Sequence, residues 1–212
     1  EDAKGNLVST AQSFYYTVPA RNTQLYAIYQ YDPSNPQPPG ANAYDNFTGE
    51  VIVDNFNPGN LSSAIYEVTK HNTSNITKII VAGKINSNDF SIANNYSTCS
   101  VVDLSRTTGL TRVPSYCYNG NKSLSRLLLP EGITQIEYWA FHEATALTEL
   151  TCFSMVPPTL GSNVFTGVNK GLVVYVPASV VELYENADGW KTYVDDGTIV
   201  IMPIRSNVAS LE

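Results

Sequence analysis

The sequence is short of positive charge, of histidine and of long apolar runs. Of its 212 residues only 12 are Lys or Arg against 19 Asp or Glu, which gives a net charge of -7. The basic residues are scattered, whereas binding a phosphate backbone needs them gathered into a patch, so nucleic acid is excluded as a partner. An anionic membrane surface is disfavoured for the same reason. No stretch reaches the roughly 18 consecutive apolar residues of a membrane-spanning helix, so no membrane span is expected in this chain. The two histidines, His71 and His142, stand in no metal-spaced pair, and there is no C-x-x-C. An odd set of three cysteines, Cys99, Cys117 and Cys152, cannot form a complete disulfide framework. Nucleophile-elbow, P-loop and dinucleotide-binding glycine patterns are missing. The acidic turns "ADG" (187–189) and "DDG" (195–197) lack the alternating ligands of a calcium loop. No catalytic residue, cofactor or metal is therefore expected, and the chain reads as something other than an enzyme.

What the sequence does hold is apolar residues, 43% of the chain, enough for a sizeable core, in a chain that is only 15% charged. They recur. Five segments share the spacing apolar-x-x-apolar-x-apolar: Ile76/Ile79/Val81, Cys99/Val102/Leu104, Leu124/Leu127/Leu129, Leu147/Leu150/Cys152 and, with glycine in first place, Gly171/Val174/Val176. Their starts are 23, 25, 23 and 24 residues apart. A second register lies between them: Leu110, Val113 and Cys117-Tyr118 match Ile133, Ile136 and Ala140-Phe141, 23 residues on, and Val164-Phe165 follows 24 residues later. The last two apolar positions of each segment are two apart and face one side of a strand. One such unit cannot bury its apolar face alone, but stacked units share a continuous core. The three cysteines fall on core positions of the two registers, where a thiol packs as a small hydrophobe.

The residues that carry these patterns resemble the BspA-like leucine-rich repeats. "LSRLLLPEGITQIEYWAFHEATALTEL" (124–150) is similar to that family's unit, a strand ending in Pro, an I-x-x-I step, then "AF" before the next strand. "VPPTLGSNVFTG" (156–167) looks like its late repeat and "VYVPASVVELYENADGWKTY" (174–193) like its closing segment. The likeness spans about 50–203 and is loose over 76–106, where "AF" is missing. The resemblance implies a curved solenoid, export to the cell surface or medium, and a Bacteroidetes source such as Bacteroides. It transfers no catalytic motif. The fold class expected is thus β-rich α/β: a leucine-rich-repeat solenoid of parallel strands at a 23–25-residue period, with short helical caps and a small Tyr-rich β segment at the N-terminus.

The expected organisation is a Tyr-rich β segment at 1–31, a Pro-rich connector at 32–44 carrying "DPSNPQPPG", and a cap strand and helix at 45–75. The solenoid follows at 76–176 and a C-terminal cap helix and strand at 177–210. Asn60 is positioned to cap a helix over 59–70, Pro177 to open one through Tyr184, and Gly189 to follow its end. Six Asn-x-Ser/Thr sequons, the first at Asn46 and the last at Asn121, follow from an Asn/Ser/Thr-rich composition.

Two candidate interaction surfaces emerge. Strand residues facing away from the core form columns, one of Lys78, Val101, Arg126, Glu149 and Val173, the next of Ile80, Asp103, Leu128, Thr151 and Tyr175. Arg126 and Glu149 are neighbours able to pair. Val101, Leu128, Val173 and Tyr175 are expected to form an apolar stripe, either open as an interaction face or covered by the N-terminal segment. The second surface is Trp139, which precedes the Ala140-Phe141 core pair and is expected to point outward beside Tyr138 and an exposed His142. These features fit a secreted or cell-surface binding or adhesion module for a protein partner, such as a host matrix component. A glycan-binding accessory module of a surface glycan-utilisation system, or a structural spacer, are the alternatives.

Overall fold

The computed structural model describes residues 14–16, 26–28, 49–54, 57–69 and 71–204. The chain divides into two units, Glu1–Asn46 and Phe47–Glu212. In the first, strands β1 (Phe14–Tyr16) and β2 (Tyr26–Ile28) pair antiparallel, Phe14 opposite Ile28 and Tyr16 opposite Tyr26. The Pro-rich connector expected at 32–44 lies outside the described residues.

The second unit is built from the repeat. Each coil contributes one strand to a seven-stranded parallel sheet: β3 (Glu50–Val53), β4 (Lys78–Lys84), β5 (Val101–Thr108), β7 (Arg126–Leu128), β9 (Glu149–Thr151), β11 (Leu172–Val176) and β12 (Ile199–Pro203). The register aligns Val51, Ile79, Val102, Leu127, Leu150, Val174 and Ile201, one per coil, all buried. At about 25 cal/mol per Å² of apolar surface removed from water, the continuous row of these side chains is what holds neighbouring coils together. In the fifth copy the expected first position, Gly171, takes a left-handed backbone with φ of 83°. Leu172 enters the core beside it.

A second, three-stranded parallel sheet runs through the return segments: β6 (Arg112–Val113), β8 (Gln135–Ile136) and β10 (Thr159–Leu160). The repeat pattern marks Val113 and Ile136 as core but does not reveal the strands. Between the sheets the aromatic members of the second register stack. Tyr118 and Phe141 lie 6.0 Å apart at 5°, and Phe141 and Phe165 lie 5.6 Å apart at 7°. Phe90 closes one end of the row at 6.2 Å from Tyr118, and Trp190 the other at 5.7 Å from Phe165. Trp190 is fully buried and donates its indole N–H to the Pro158 carbonyl at 2.7 Å.

Hydroxyls tie the coils together in two further rows. Thr77, Ser100, Ser125 and Thr148 each donate to the carbonyl of the residue in the same place one coil earlier, namely Gly49, Thr77, Ser100 and Ser125, over 3.0–3.3 Å. Thr134 and Thr159 do the same toward Thr111 and Thr134 at 3.1 and 3.5 Å. In both rows the carbonyl already accepts the backbone N–H of the same residue that offers the hydroxyl, so the side chain adds a further bond across the joint between coils.

The ends carry helices. At the N-terminal end stands α1 (Leu61–Val68), which buries Leu61 and Ile65. The expectation that Asn60 caps it by its side chain is corrected: Asn60 has φ -115° and ψ 20°, short of the extended backbone an N-cap side chain needs, and makes no cap hydrogen bond. The buried Asp89, from α2 (Ser87–Phe90), does so instead. Its carboxylate accepts the N–H of Gly59 at 2.7 Å, of Leu61 at 3.0 Å and of Asn86 at 3.0 Å. At the C-terminal end a 3₁₀ turn, Ala178–Val180, leads into α3 (Val181–Asn186). Gly189 follows the end of α3, as expected, and also stands immediately before a further helix that was not expected, α4 (Trp190–Asp195), at a φ of 78° that favours glycine.

Candidate functional site

The sheet face turned away from the core is set by strand register. Glu50, Lys78, Val101, Arg126, Glu149, Val173 and Val200 form one row across all seven strands. Six steps of strand spacing make it about 29 Å long. Two ion pairs bridge adjacent strands, Lys78 Nζ to Glu50 Oε2 at 2.8 Å and Arg126 Nε to Glu149 Oε2 at 2.7 Å. Partly exposed pairs of this kind contribute under about 1 kcal/mol, so their main effect is to order the row. Glu50 and Val200 are exposed and the other members half-buried.

The neighbouring row is Ile52, Ile80, Asp103, Leu128, Thr151, Tyr175 and Met202. Its centre is closed, so of the two states expected for the apolar stripe the open one does not hold at Leu128. Leu128 is only 4% exposed and Asp103 7%. Alternation along a strand gives the direction of a side chain. Exposure depends also on what flanks it, and Leu128 stands in register between Asp103 and Thr151. Asp103 is turned onto its own chain, accepting the N–H and hydroxyl of Ser105 at 2.8 and 2.6 Å. Val101, Val173 and Tyr175 remain half-buried.

The second surface lies on the turns after β8. Burial of Ala140 and Phe141 fixes the turn, and Gly161 of the next coil lies so close that a Cβ on it would sit 2.4 Å from the Tyr138 nitrogen. Trp139 takes a left-handed backbone, φ 59°. Its counterparts one coil either side, Tyr116 and Asn163, do the same at 59° and 57°. Neighbouring coils hold these conformations: Tyr116 N–H donates to Tyr138 O at 3.3 Å and Trp139 N–H to Ser162 O at 3.0 Å. Asparagine visits this region readily, whereas for a bulky side chain it costs about 1–2 kcal/mol.

The rings converge. Tyr116 meets Tyr138 edge to face at 5.2 Å and Trp139 at 5.8 Å, and Trp139 stacks on His142 at 4.0 Å. Tyr116 is 50% exposed and Tyr138 49%, with Trp139 half-buried. His142, expected to be exposed, is half-buried because Trp139 covers one ring face, and its Nδ1 lies 3.1 Å from Asn119 Oδ1. Beside the cluster, Glu137 accepts the Ser115 hydroxyl at 2.7 Å and N–H at 3.1 Å, which, with Arg112, holds its carboxyl below the ordinary range. The structure thus joins Tyr138 and Trp139 with a member that the sequence pattern did not single out. The signal for Tyr116 was available: it precedes Cys117-Tyr118 as Trp139 precedes Ala140-Phe141.

The remaining reactive groups stay apart. Among the described residues no group of three or more His, Cys, Asp or Glu is placed to hold a metal. His71 stacks on Tyr66 at 4.0 Å, away from His142 in sequence and fold. The three thiols are buried and unpaired. No helix among the described residues is long and apolar enough to cross a membrane.

One strand per coil at a 23–25-residue period from Ile79 to Val174, parallel pairing and a shared core define a leucine-rich-repeat solenoid. Residues 84–187 match the family model described as BspA type leucine rich repeat region, in six copies, and the repeats of this chain belong to that family. The match reaches into the stretch 84–106, where the sequence likeness is loose. No curated protein matches the chain.

Proposed function

We propose that the chain is a non-catalytic binding module, secreted or displayed on a cell surface, that engages a protein partner through the outer row of its sheet. Leucine-rich repeats generally mediate protein interactions, and the BspA type is typical of surface and secreted proteins, which supports the reading at the level of the family. The observation that carries it is the accessible row itself. Val101 is an apolar step between two charged pairs, and Val173 and Val200 carry the row on beyond the second, on a backbone that seven paired strands make rigid. A rigid face loses little conformational entropy on docking.

The test is retention of the purified chain on immobilised matrix proteins, with Val173→Arg and Val200→Arg as the variants. Both side chains face away from the core, so the fold is kept, as circular dichroism will verify. Binding weakened by about tenfold or more supports the reading. Retention by no matrix protein, or retention unchanged in both variants, overturns it.

A further inference from the structure

We propose that Tyr116, Tyr138 and Trp139 form a glycan-binding site, separate from the sheet face, that receives a sugar ring with equatorial hydroxyls on its aromatic corner. It goes beyond protein binding by the solenoid and stands on different residues.

Three observations carry it. The first is retained strain. Two of the three rings are borne by residues at φ 59°, in a position where the next coil uses Asn163. Costly backbone conformations concentrate at ligand-binding sites because a function keeps them. The second is pre-organisation. Trp139 is braced from one side by His142 at 4.0 Å and 26°, and His142 is fixed in turn by Asn119. A ring so held has little rotamer freedom left to lose when a ligand arrives.

The third is the chemistry and scale of the surface. Tyr116 and Tyr138 stand at 85° to one another, so the rings make a corner, not a wall. On the same and the next turn stand Asn119, whose side chain reaches His142, and Ser162 and Asn163, all exposed, with Glu143 after His142. These are neutral or acidic hydrogen-bonding groups, suited to hydroxyls. A sugar with equatorial hydroxyls presents an apolar C–H face to an aromatic ring, whose π face is electron-rich, and hydroxyls at its edge. A protein hot spot instead needs an apolar centre within about 800 Å² of buried surface per partner. Here exposed polar residues share the turns that carry the three rings.

The chain holds its own reporter. Trp190 is fully buried, so a change in tryptophan emission on adding sugar reports Trp139. The intact chain is titrated with β-1,4-linked tetramers of glucose and of N-acetylglucosamine. The expected result is a saturable emission change with one of them at millimolar concentration or below. Tyr138→Ala, with an unchanged unfolding midpoint, should weaken it about tenfold. Tyr66→Ala, on the exposed ring of α1, and Val173→Arg, on the sheet face, should leave it intact. The retained signal of Val173→Arg separates this site from the protein-binding face. No saturable change with either sugar overturns the proposal. So does equal affinity in Tyr138→Ala confirmed by calorimetry, or a cluster that responds only to a Lys/Arg-rich peptide.

Discussion

Cys99, Cys117 and Cys152 show how a residue's place in a repeat decides its chemistry. Each occupies a slot that other coils fill with Leu, Ala or Val, and desolvation in the core pushes Cys99 up to about 12 and raises Cys117 and Cys152 as well. In the unfolded chain a thiol titrates near pH 8.5. Above that pH the unfolded state releases protons that the folded state keeps, so stability falls as pH rises, by at most about 1.4 kcal/mol per pH unit for each thiol. Urea midpoints measured at neutral pH and near pH 10 should drop accordingly, and Cys117→Ala should flatten the decline. A midpoint independent of pH over that interval would show the thiols to be solvated. Below pH 8 they should resist alkylation until denaturant is added. The core role of these residues was legible because the two registers assign every core position a number. Tyr116 went unread for a different reason: it is conspicuous only beside Trp139, and the two meet by coil stacking, not by proximity in sequence.

At the scale of the element, periodicity found what is local. The strands at Ile79, Val102, Leu127, Leu150 and Val174 and the helix through Leu61 and Ile65 are all visible as spacings of two or of three to four. The cap of that helix was not visible, because it comes from Asp89, 28 residues from Leu61. Asp89→Ala should leave the N–H groups of Gly59, Leu61 and Asn86 without their acceptor. The loss should be about 1–3 kcal/mol in chemical denaturation, with faster amide exchange at Leu61 than at Val102. Asp89→Asn, which keeps one acceptor oxygen, should lose less. Unchanged exchange at Leu61 would mean that packing alone holds α1. Two-residue strands such as Gln135–Ile136 and the six-residue α4 escaped for want of length: neither holds two full periods of its own pattern, so no recurrence shows.

Across the whole unit, the row from Phe90 through Tyr118, Phe141 and Phe165 to Trp190 runs from α2 to the C-terminal cap. Phe141 is central and fully buried, and Phe141→Ala should cost about 3–5 kcal/mol in urea unfolding. Because its ring touches those of both neighbouring coils, amide protection should fall in all three, which hydrogen exchange can resolve. Loss confined to one coil would argue for independent units. The sequence made this row legible as "AF" and its counterparts. It left the state of the outer face open, because Leu128 and Val173 obey the same alternation yet differ in what flanks them. The hydroxyl rows of Thr77, Ser100, Ser125 and Thr148 have a mechanical consequence. Their bonds, like the strand ladders, run between each coil and its neighbour, so a pull applied from end to end loads the joints in series. The coils would come away singly, like the teeth of a zip. Each would release its 23–25 residues, about 80 Å of chain, so that a tethered molecule yields in steps under drag before it lets go.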